Sequence, residues 1–263
     1  MKKDNIPLIV SSCDQYSDLW QPFFTLVRKY WSGFDRKVYL CTDSKTFEYE
    51  GFDLNCPLRM PLNSTWSARL LALLEQINDE YVLFMLDDFW LKTQVDVGRL
   101  KRYENIMMNN SDIGFICLIH QLDPSVDNPI SNIYPDLITY GQNTLYRVTT
   151  QAGLWRKDYL KGLLKKYESA WWFEMFGSKR SRKSNYMSYV VKDSVFSYDD
   201  GGVLFRGSYV SEYIKYFADQ KGIVINPQRR IASREVLKGE VNDISFIKKL
   251  NPFFIFHYCL SHF

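Results

Sequence analysis

The stretch YVLFMLDDFWL, residues 81–91, carries two adjacent carboxylates, Asp87 and Asp88, near the end of a run of apolar residues. The run has the length and composition of a buried strand. Burying an unpaired charge is costly, and two neighbouring carboxylates also repel each other. A divalent cation, and through it a diphosphate, is one partner that would explain the pair. The alternative is structural: one Asp caps a following turn and the other pairs with a Lys or Arg.

The sequence on both sides of this stretch alternates between strand and helix patterns. Short apolar runs predict strands at IPLIVSS (6–12), KVYLCTD (37–43), YVLFML (81–86) and IGFICLI (113–119). Apolar residues at helical spacing predict helices over 18–31, 64–77 and 96–108, with Thr65 or Ser67 and then Asp96 as N-caps. This succession is typical of an α/β fold with a mixed, mostly parallel sheet and helices on both faces.

Ligands of such sheets bind outside the carboxyl ends of the strands. The polar residues that follow three of the predicted strands are SSCD (11–14), TD (42–43) and DD (87–88). These strand ends therefore mark the expected site.

The pattern changes beyond about residue 120. TLYRVTTQAGLW (144–155) predicts a strand, RKDYLKGLLKKY (156–167) a basic amphipathic helix, and ESAWWFEMFGS (168–178) a short helix or turn. SKRSRKSN (178–185) predicts a charged surface loop. SVFSYDDGGVLFRGSY (194–209) predicts a hairpin with its turn at Asp-Gly-Gly.

Composition limits the class of protein. Hydrophobic residues make up 46% of the 263-residue chain, enough for a sizeable core, while a net charge of +3 is too weak to indicate nucleic-acid binding. The five Cys, at positions 13, 41, 56, 117 and 259, form no CxxC pair and indicate reduced cytosolic thiols. The apolar stretch near the start is too short for a signal peptide, and no segment has the roughly 18 apolar residues of a membrane span. A cytoplasmic location is expected, with any membrane contact peripheral.

Several sequence motifs of other enzyme classes do not occur in this chain. It contains no GxGxxG, no Walker phosphate loop and no GxSxG elbow. Their absence argues against dehydrogenases, P-loop enzymes and α/β-hydrolases.

Taken together, several segments resemble the GT-A superfamily of glycosyltransferases, in particular bacterial ones from capsule and surface-polysaccharide loci. The segments are IVSSCDQYSDLWQPFFTLVRKYW, TWSARLLALLEQINDEYVLFMLDDFWL, TTQAGLWRKDYL and ESAWWFE, in this order. The resemblance implies a GT-A-like (Rossmann-like) sheet with an elaborated C-terminal part. It further implies one domain over 1–263, with a nucleotide-sugar-binding half (1–118) and an acceptor-side half with a C-terminal extension (119–263).

The resemblance implies a donor site at the strand ends. Superfamily members carry a DXD-type motif whose last Asp binds the metal, and here the triplet is Leu86-Asp87-Asp88. Asp88 is therefore expected to bind Mn²⁺ or Mg²⁺, and Asp87 to contact the ribose or to support the metal ligand. A Leu stands where the first carboxylate is expected. His257 is a further candidate metal ligand, because a C-terminal His completes the metal shell in some members.

The loop after the first strand is implied to contact the nucleotide. Ser12 and Asp14 would supply hydrogen bonds and Tyr16 could stack on the base. The alternative is an ordinary loop in which Asp14 or Ser17 caps the helix. Arg69 is predicted in the first turn of its helix, where the helix dipole disfavours a cation. Arg69 is thus expected to face an anionic group, such as a diphosphate or an Asp pair, unless it is a plain surface residue.

The acceptor side is implied to contain a general base. An inverting transferase needs a carboxylate near the acceptor hydroxyl, and the resemblance places it at Glu174, with Glu168 as the rival. Trp172 would contact the acceptor, and Gln151 would hydrogen-bond a sugar hydroxyl. The alternative is that Trp171 and Trp172 belong to the core and Glu174 points to solvent. The basic cluster Lys179, Arg180, Arg182 and Lys183 would contact a lipid-linked diphosphate or an anionic membrane, or else be a solvated loop.

The sequence therefore predicts sugar transfer from a nucleotide-sugar donor, a UDP-sugar, to a hydroxyl of a glycan or lipid-linked glycan in surface-polysaccharide synthesis. Inversion at the anomeric carbon rests on Glu174 alone. No nucleic-acid partner is expected, and any membrane contact would be at the inner face of the plasma membrane. The alternatives are a non-catalytic nucleotide- or glycan-binding protein and, less favoured because SSCDQYSD contains no Gly, a sugar nucleotidyltransferase.

Overall fold

A computed structural model describes residues 5–62, 64–122 and 130–240 of the chain. The predictions for His257 and Cys259 lie outside these residues. The chain divides into two compact units, Met1–Tyr198 and Asp199–Phe263. The assignment of 1–263 to one domain with a boundary at residue 118 stays a prediction.

The described part of the first unit is built on an eight-stranded sheet with the order β3-β2-β1-β4-β7-β5-β8-β6. The strands are β1 (Leu8–Ser11), β2 (Lys37–Cys41), β3 (Asp53–Asn55), β4 (Tyr81–Leu86), β5 (Ile113–Cys117), β6 (Leu137–Thr139), β7 (Gly153–Arg156) and β8 (Met187–Val191). β7 runs antiparallel to β4 and β5, and β6 runs antiparallel to β8. The other neighbouring pairs are parallel, so the predicted mixed, mostly parallel sheet is confirmed.

The described helices of the first unit follow the predicted pattern up to residue 172. They are α1 (Trp20–Tyr30), α2 (Trp66–Leu74), α3 (Val97–Met108), α4 (Lys157–Leu163), α5 (Ala170–Trp172) and α6 (Ser178–Ser181). A 3-10 turn, Asp14–Leu19, precedes α1, and a π-helical turn, Phe173–Gly177, joins α5 to α6. Thr65 rather than Ser67 caps α2, accepting from the amide of Ala68 at 3.2 Å. Asp96 caps α3 as predicted, accepting from the amide of Arg99 at 2.9 Å.

Both faces of the sheet are buried. Ile9 of β1 packs in a cluster with Leu70 of α2 and Leu160 of α4. Leu8 and Val10 point to the opposite face, since side chains alternate along a strand, and they are buried as completely as Ile9. This two-sided burial explains why the strand sequences are continuous apolar runs.

The second unit contains a small sheet and a helix. Its described elements are β9 (Leu204–Phe205), β10 (Ser208–Val210), α7 (Ser211–Ala218) and β11 (Ile231–Ala232), with the strand order β11-β10-β9. The predicted hairpin is present between β9 and β10, but its turn lies at Arg206-Gly207 rather than at Asp-Gly-Gly. Both turn residues have positive φ, 51° and 80°, the backbone that tight hairpins require.

The structure corrects two predictions on the acceptor side. The strand predicted over 144–155 begins only at Gly153, because the preceding residues turn inward to bury Arg147. Its guanidinium donates to the carbonyls of Ser181 at 3.1 Å and Tyr186 at 2.9 Å. The segment 178–185 is not a loop throughout, since α6 occupies its first half. In the described residues, no helix has the length and hydropathy needed to cross a bilayer.

Gly153 is expected to be required where β7 fits between β4 and β5. A Cβ at this position would lie 2.6 Å from Cε2 of Phe115 and 3.1 Å from the carbonyl oxygen of Ile116. Gly153→Ala should therefore lower the free energy of unfolding by about 1–3 kcal/mol in a urea titration. Gly162→Ala is the matched control, because a Cβ there meets nothing within 4 Å and helix propensity favours Ala. Equal stability of the two variants would contradict this account of the packing.

Candidate active site

The carboxyl ends of β1, β2 and β4 lie at one edge of the sheet, because these strands are parallel neighbours. They place Ser12, Asp43 and the Asp87-Asp88 pair side by side. β7 is antiparallel to β4, with Gly153 opposite Phe84, so the residues that lead into β7 reach the same edge. The expected donor site and the expected acceptor segment thus meet at one edge of the sheet.

Ser12 connects the ends of β1 and β4. Its hydroxyl donates to Oδ2 of Asp87 and accepts from Nε1 of Trp20 at 2.7 Å. Ser12 and Asp87 are buried, whereas Asp88 is half-buried at the edge. Of the two residues, Asp88 is therefore the more exposed, although its Oδ1 is buried.

Asp14 joins the first loop to the loop after β2. Its carboxylate accepts from the amides of Asp43 and Lys45, both at 3.0 Å, and from the amide and hydroxyl of Ser44, the latter at 2.8 Å. Burial alone would raise the pKa of Asp14, but these hydrogen bonds outweigh it and hold the pKa below its ordinary value. The alternative of a helix cap is wrong for both candidates. The 3-10 turn has no side-chain cap, and the Ser17 hydroxyl accepts from Nζ of Lys45 at 2.8 Å.

Arg69 faces an anionic group, as its position predicted. Its guanidinium donates to Oδ1 of Asp43 at 3.0 Å, and both side chains are buried. Nε of Arg69 is also buried and has no hydrogen-bond partner among the described residues. Asp43 was not among the predicted site residues, although its place after the second strand was a signal for it. Its second oxygen accepts from the amide of Asp14 at 2.9 Å.

Trp66 is a site residue that the sequence did not single out. Its Nε1 donates to the hydroxyl of Ser11 at 2.9 Å, and its ring lies 5.5 Å from that of Phe173, centroid to centroid. Phe173 precedes Glu174, so the half-buried Trp66 connects the end of β1 to the helix of the expected base. In the sequence, only the position of Trp66 in the first turn of α2, beside the strand ends, could have indicated that it belongs to the site.

Glu174 is held by one of its two oxygens. Oε1 accepts from the Thr149 hydroxyl at 2.7 Å, the Thr150 amide at 2.7 Å and the Thr150 hydroxyl at 2.8 Å. No hydrogen bond to Oε2 is found in the described part of the chain, and the residue is half-buried. The carboxylate is thus fixed in orientation by the residues just before β7, through Oε1 and not through Oε2.

Glu168, the rival acid, has a structural role. Arg180 donates to its two carboxylate oxygens at 2.8 and 2.7 Å, and Glu168 is only 1% exposed. Arg180 is one of the four residues of the predicted basic cluster. It also donates to the carbonyl of Leu163 at 2.8 Å, so its guanidinium is engaged within the fold. Glu168 is therefore not available to an acceptor.

Three other predicted residues lie in this unit. Gln151 is half-buried, and its Oε1 accepts from the Tyr198 hydroxyl at 2.8 Å. Trp172 is half-buried and its amide donates to the Ser169 hydroxyl at 3.2 Å, which caps the short α5. Tyr16 is half-buried in the 3-10 turn after Asp14. The roles assigned to these residues stay predictions.

The residues at the edge are compatible with a divalent cation of the kind that binds through substrate. Mg²⁺ usually takes one or two protein carboxylates and completes its shell with phosphate and water. Asp88 is half-buried, with its Oδ1 buried, and lies beside a second carboxylate, Asp87. Residues 5–62, 64–122 and 130–240 contain no cluster of three or more His, Cys, Asp or Glu suited to a metal.

Comparison with known proteins shows the fold. No family model and no curated protein matches the sequence. The structure of S. aureus TarS 1-349 in complex with UDP matches with a TM-score of 0.52 and 12% identity over 74% of this chain and 60% of that chain. The complex of the same protein with UDP-GlcNAc matches with a TM-score of 0.50 and 14% identity, over 81% and 64%. A cytidylyltransferase from Leptospira borgpetersenii gives a TM-score of 0.45 at 10% identity.

The fold is therefore a GT-A-like α/β fold, as the sequence predicted. The chain spans about 60% of the length of the TarS chains that it matches. At this level of identity the similarity extends to the fold.

The hydrogen bonds of Asp14 should make the free energy of unfolding depend on pH. Because its pKa is lower folded than unfolded, Asp14 stabilises the protein above its unfolded pKa, and the effect is lost as pH falls through the folded value. Asp14→Asn should lower the free energy of unfolding by roughly 1.5–3 kcal/mol at neutral pH, with a smaller difference from wild type below about pH 4. Thermal melts across pH measure this, with the exposed Asp35→Asn as control. A constant difference at every pH would contradict it.

Proposed function

We propose that this protein is a glycosyltransferase that moves a sugar from a UDP-sugar to a hydroxyl of a glycan or lipid-linked glycan. The observation that carries the proposal is that Asp87-Asp88 and the oriented carboxylate of Glu174 lie at one edge of the sheet. TarS, whose fold is similar, has been crystallised with UDP and UDP-GlcNAc, which supports the donor class.

On the donor side, Asp88 would hold Mn²⁺ or Mg²⁺ together with the diphosphate. The cation would neutralise charge that develops on the leaving diphosphate. Asp87 is directed toward Ser12 by their hydrogen bond, so the two would support the nucleoside rather than the metal. Asp14 and Tyr16 belong to the same loop, and the hydrogen bond from the Asp43 amide to Asp14 holds that loop against the segment after β2.

On the acceptor side, Glu174 would act as general base. As the acceptor oxygen attacks the anomeric carbon, its proton would pass to Oε2, and the bond from that carbon to the diphosphate would break. Oε1 is held by three donors, so the carboxylate needs little reorientation before it accepts the proton. One displacement of this kind gives inversion.

Replacement of either carboxylate should abolish most transfer. Asp88→Asn and Glu174→Gln are each expected to reduce kcat roughly 10²–10⁴-fold in a screen of UDP-sugars and glycan acceptors. Asp88→Asn should also reduce the difference between assays with Mn²⁺ and with chelator, whereas Glu174→Gln should keep that difference. Released UDP and transferred sugar are both measured.

The control for this screen is Glu75→Gln, an exposed carboxylate at the end of α2. Full activity of both site variants would show that the site is assigned wrongly. Wild-type protein that binds UDP but transfers no sugar to any acceptor would favour the non-catalytic binding protein instead.

An exposed group of residues beside the site supports an acceptor at a membrane surface. Tyr167, Trp171 and Met175 are 43%, 52% and 37% exposed, and Lys165 and Lys166 are exposed next to them in the chain. We call these five residues the basic aromatic rim. The Lys166 carbonyl accepts from the Thr65 hydroxyl, which places this end of the rim beside the start of α2.

Charge also favours an anionic partner on this side. Residues 143–186 contain ten Lys and Arg but three Asp and Glu, although the whole chain has a net charge of only +3. Arg147 and Arg156 are buried and Arg180 is paired, whereas Lys165, Lys166 and Lys183 are exposed. Aromatic side chains flanked by Lys suit the interface of an anionic bilayer. The rim would hold the enzyme at the inner face of the plasma membrane, where a lipid-linked acceptor of surface-polysaccharide synthesis would be presented.

Reversal of the rim charges should weaken membrane binding. Each Lys near an anionic surface contributes about 1 kcal/mol, so Lys165→Glu with Lys166→Glu should lower partitioning onto vesicles roughly tenfold or more. The vesicles contain phosphatidylcholine with phosphatidylglycerol, and phosphatidylcholine alone serves as the neutral comparison. Lys215→Glu with Lys221→Glu changes the same charge at exposed positions of the second unit. Equal partitioning of the two double variants would contradict the proposal.

A further inference from the structure

A strap, Val195–Tyr198, crosses the end of the sheet where the site lies. The amide of Val195 donates to the carbonyl of Leu118, just after β5, at 2.8 Å. The carbonyl of Ser197 accepts from the amide of Lys92, in the loop after Asp88, at 2.8 Å. The strap is therefore fixed to the segments that follow β4 and β5, the two strands that flank β7.

Tyr198 packs against the acidic strand end. Its ring stacks on that of Phe89 at a centroid distance of 4.2 Å and an interplanar angle of 8°. Phe89 is buried and directly follows Asp88. A displacement of the Tyr198 ring would thus be transmitted to the backbone that carries the carboxylate pair.

The hydroxyl of Tyr198 is bonded to the acceptor side. It donates to Oε1 of Gln151 at 2.8 Å and accepts from the amide of Ala152 at 3.0 Å. These residues follow Thr149 and Thr150, which hold Glu174. A hydroxyl can donate and accept at the same time, and Ala152 is fully buried, so the contact also satisfies a buried amide.

We infer that Tyr198 is a positioning residue that fixes the base Glu174 relative to the diphosphate end of the site. Its ring holds the strand end with Asp88, and its hydroxyl holds the segment that orients Glu174. The inference rests on the proposed function, because it assigns Tyr198 a role in that reaction without contact to substrate. Attack by the acceptor requires the base and the anomeric carbon to be aligned, and misplacement by about 1 Å can cost a hundredfold in rate.

Tyr198→Phe tests the role, because it keeps the stacked ring and removes both hydroxyl bonds. The expected result is a fall in kcat for transfer of roughly ten- to a hundredfold, with UDP affinity and donor KM within about twofold of wild type. Hydrolysis of the donor by water does not need the acceptor segment, so the ratio of transfer to hydrolysis should fall as well. A purely structural loss of folded protein would lower both rates together and leave the ratio unchanged.

Gln151→Met removes the same hydrogen bond from the other side. If the bond itself positions the segment, the double variant should lose little more activity than the more affected single variant. Tyr49→Phe is the matched control, since it removes a hydroxyl contact of 2.7 Å to Thr25 and should leave the ratio unchanged.

Amide hydrogen exchange tests the coupling between Tyr198 and the segment that holds Glu174 without an activity measurement. In Tyr198→Phe, exchange at residues 149–153 should be faster than in wild type, while exchange in β1 stays unchanged. Wild-type ratio together with wild-type exchange would overturn the inference. If wild-type protein transfers no sugar, the proposed function fails, and faster exchange at 149–153 would still support the coupling whereas unchanged exchange would refute it.

Discussion

The site depends on the placement of one antiparallel strand, β7, between the parallel strands β4 and β5. In a fully parallel sheet, the residue after each strand faces the ligand edge and the residue before it faces the opposite edge. β7 reverses this rule, so that its N-terminal lead-in, 149–151, comes to the edge where Asp87 and Asp88 lie. The close fit of Gly153 against Phe115 allows β7 to pair on both sides. A carboxylate bound to that lead-in is then brought to the acidic strand end.

The buried carboxylates at this edge have three different kinds of hydrogen-bond partner. Asp14 is surrounded by amides, which compensate its charge without a cation. Asp43 is paired with Arg69, and Asp87 accepts from the Ser12 hydroxyl. Asp88 is the less buried member of the acidic pair, and it is there that the proposed function puts a cation and a diphosphate.

Much of the first unit could be predicted from the sequence, because its strands are buried on both faces and its helix N-termini carry local signals. The three buried strands that lead to Ser12, Asp43 and Asp87 are examples, because each is a continuous apolar run in the sequence. The acceptor side was harder, since its order comes from contacts between distant residues. Arg147 is buried and donates to the carbonyls of residues 181 and 186. No local sequence pattern indicates that the strand starts only at Gly153. The bonds of Tyr198 to Gln151 and Ala152 likewise span more than forty residues.

The two acids of the segment ESAWWFE show why composition alone could not choose between two candidates for the base. Glu168 and Glu174 are six positions apart and are flanked by the same aromatic residues. Arg180 donates to both carboxylate oxygens of Glu168 in a bidentate pair, and this buried carboxylate is inaccessible. Glu174 receives three neutral donors on one oxygen, which orient its carboxylate. The base of the proposed reaction must be fixed in orientation without having both oxygens paired, and of the two acids Glu174 fits this requirement.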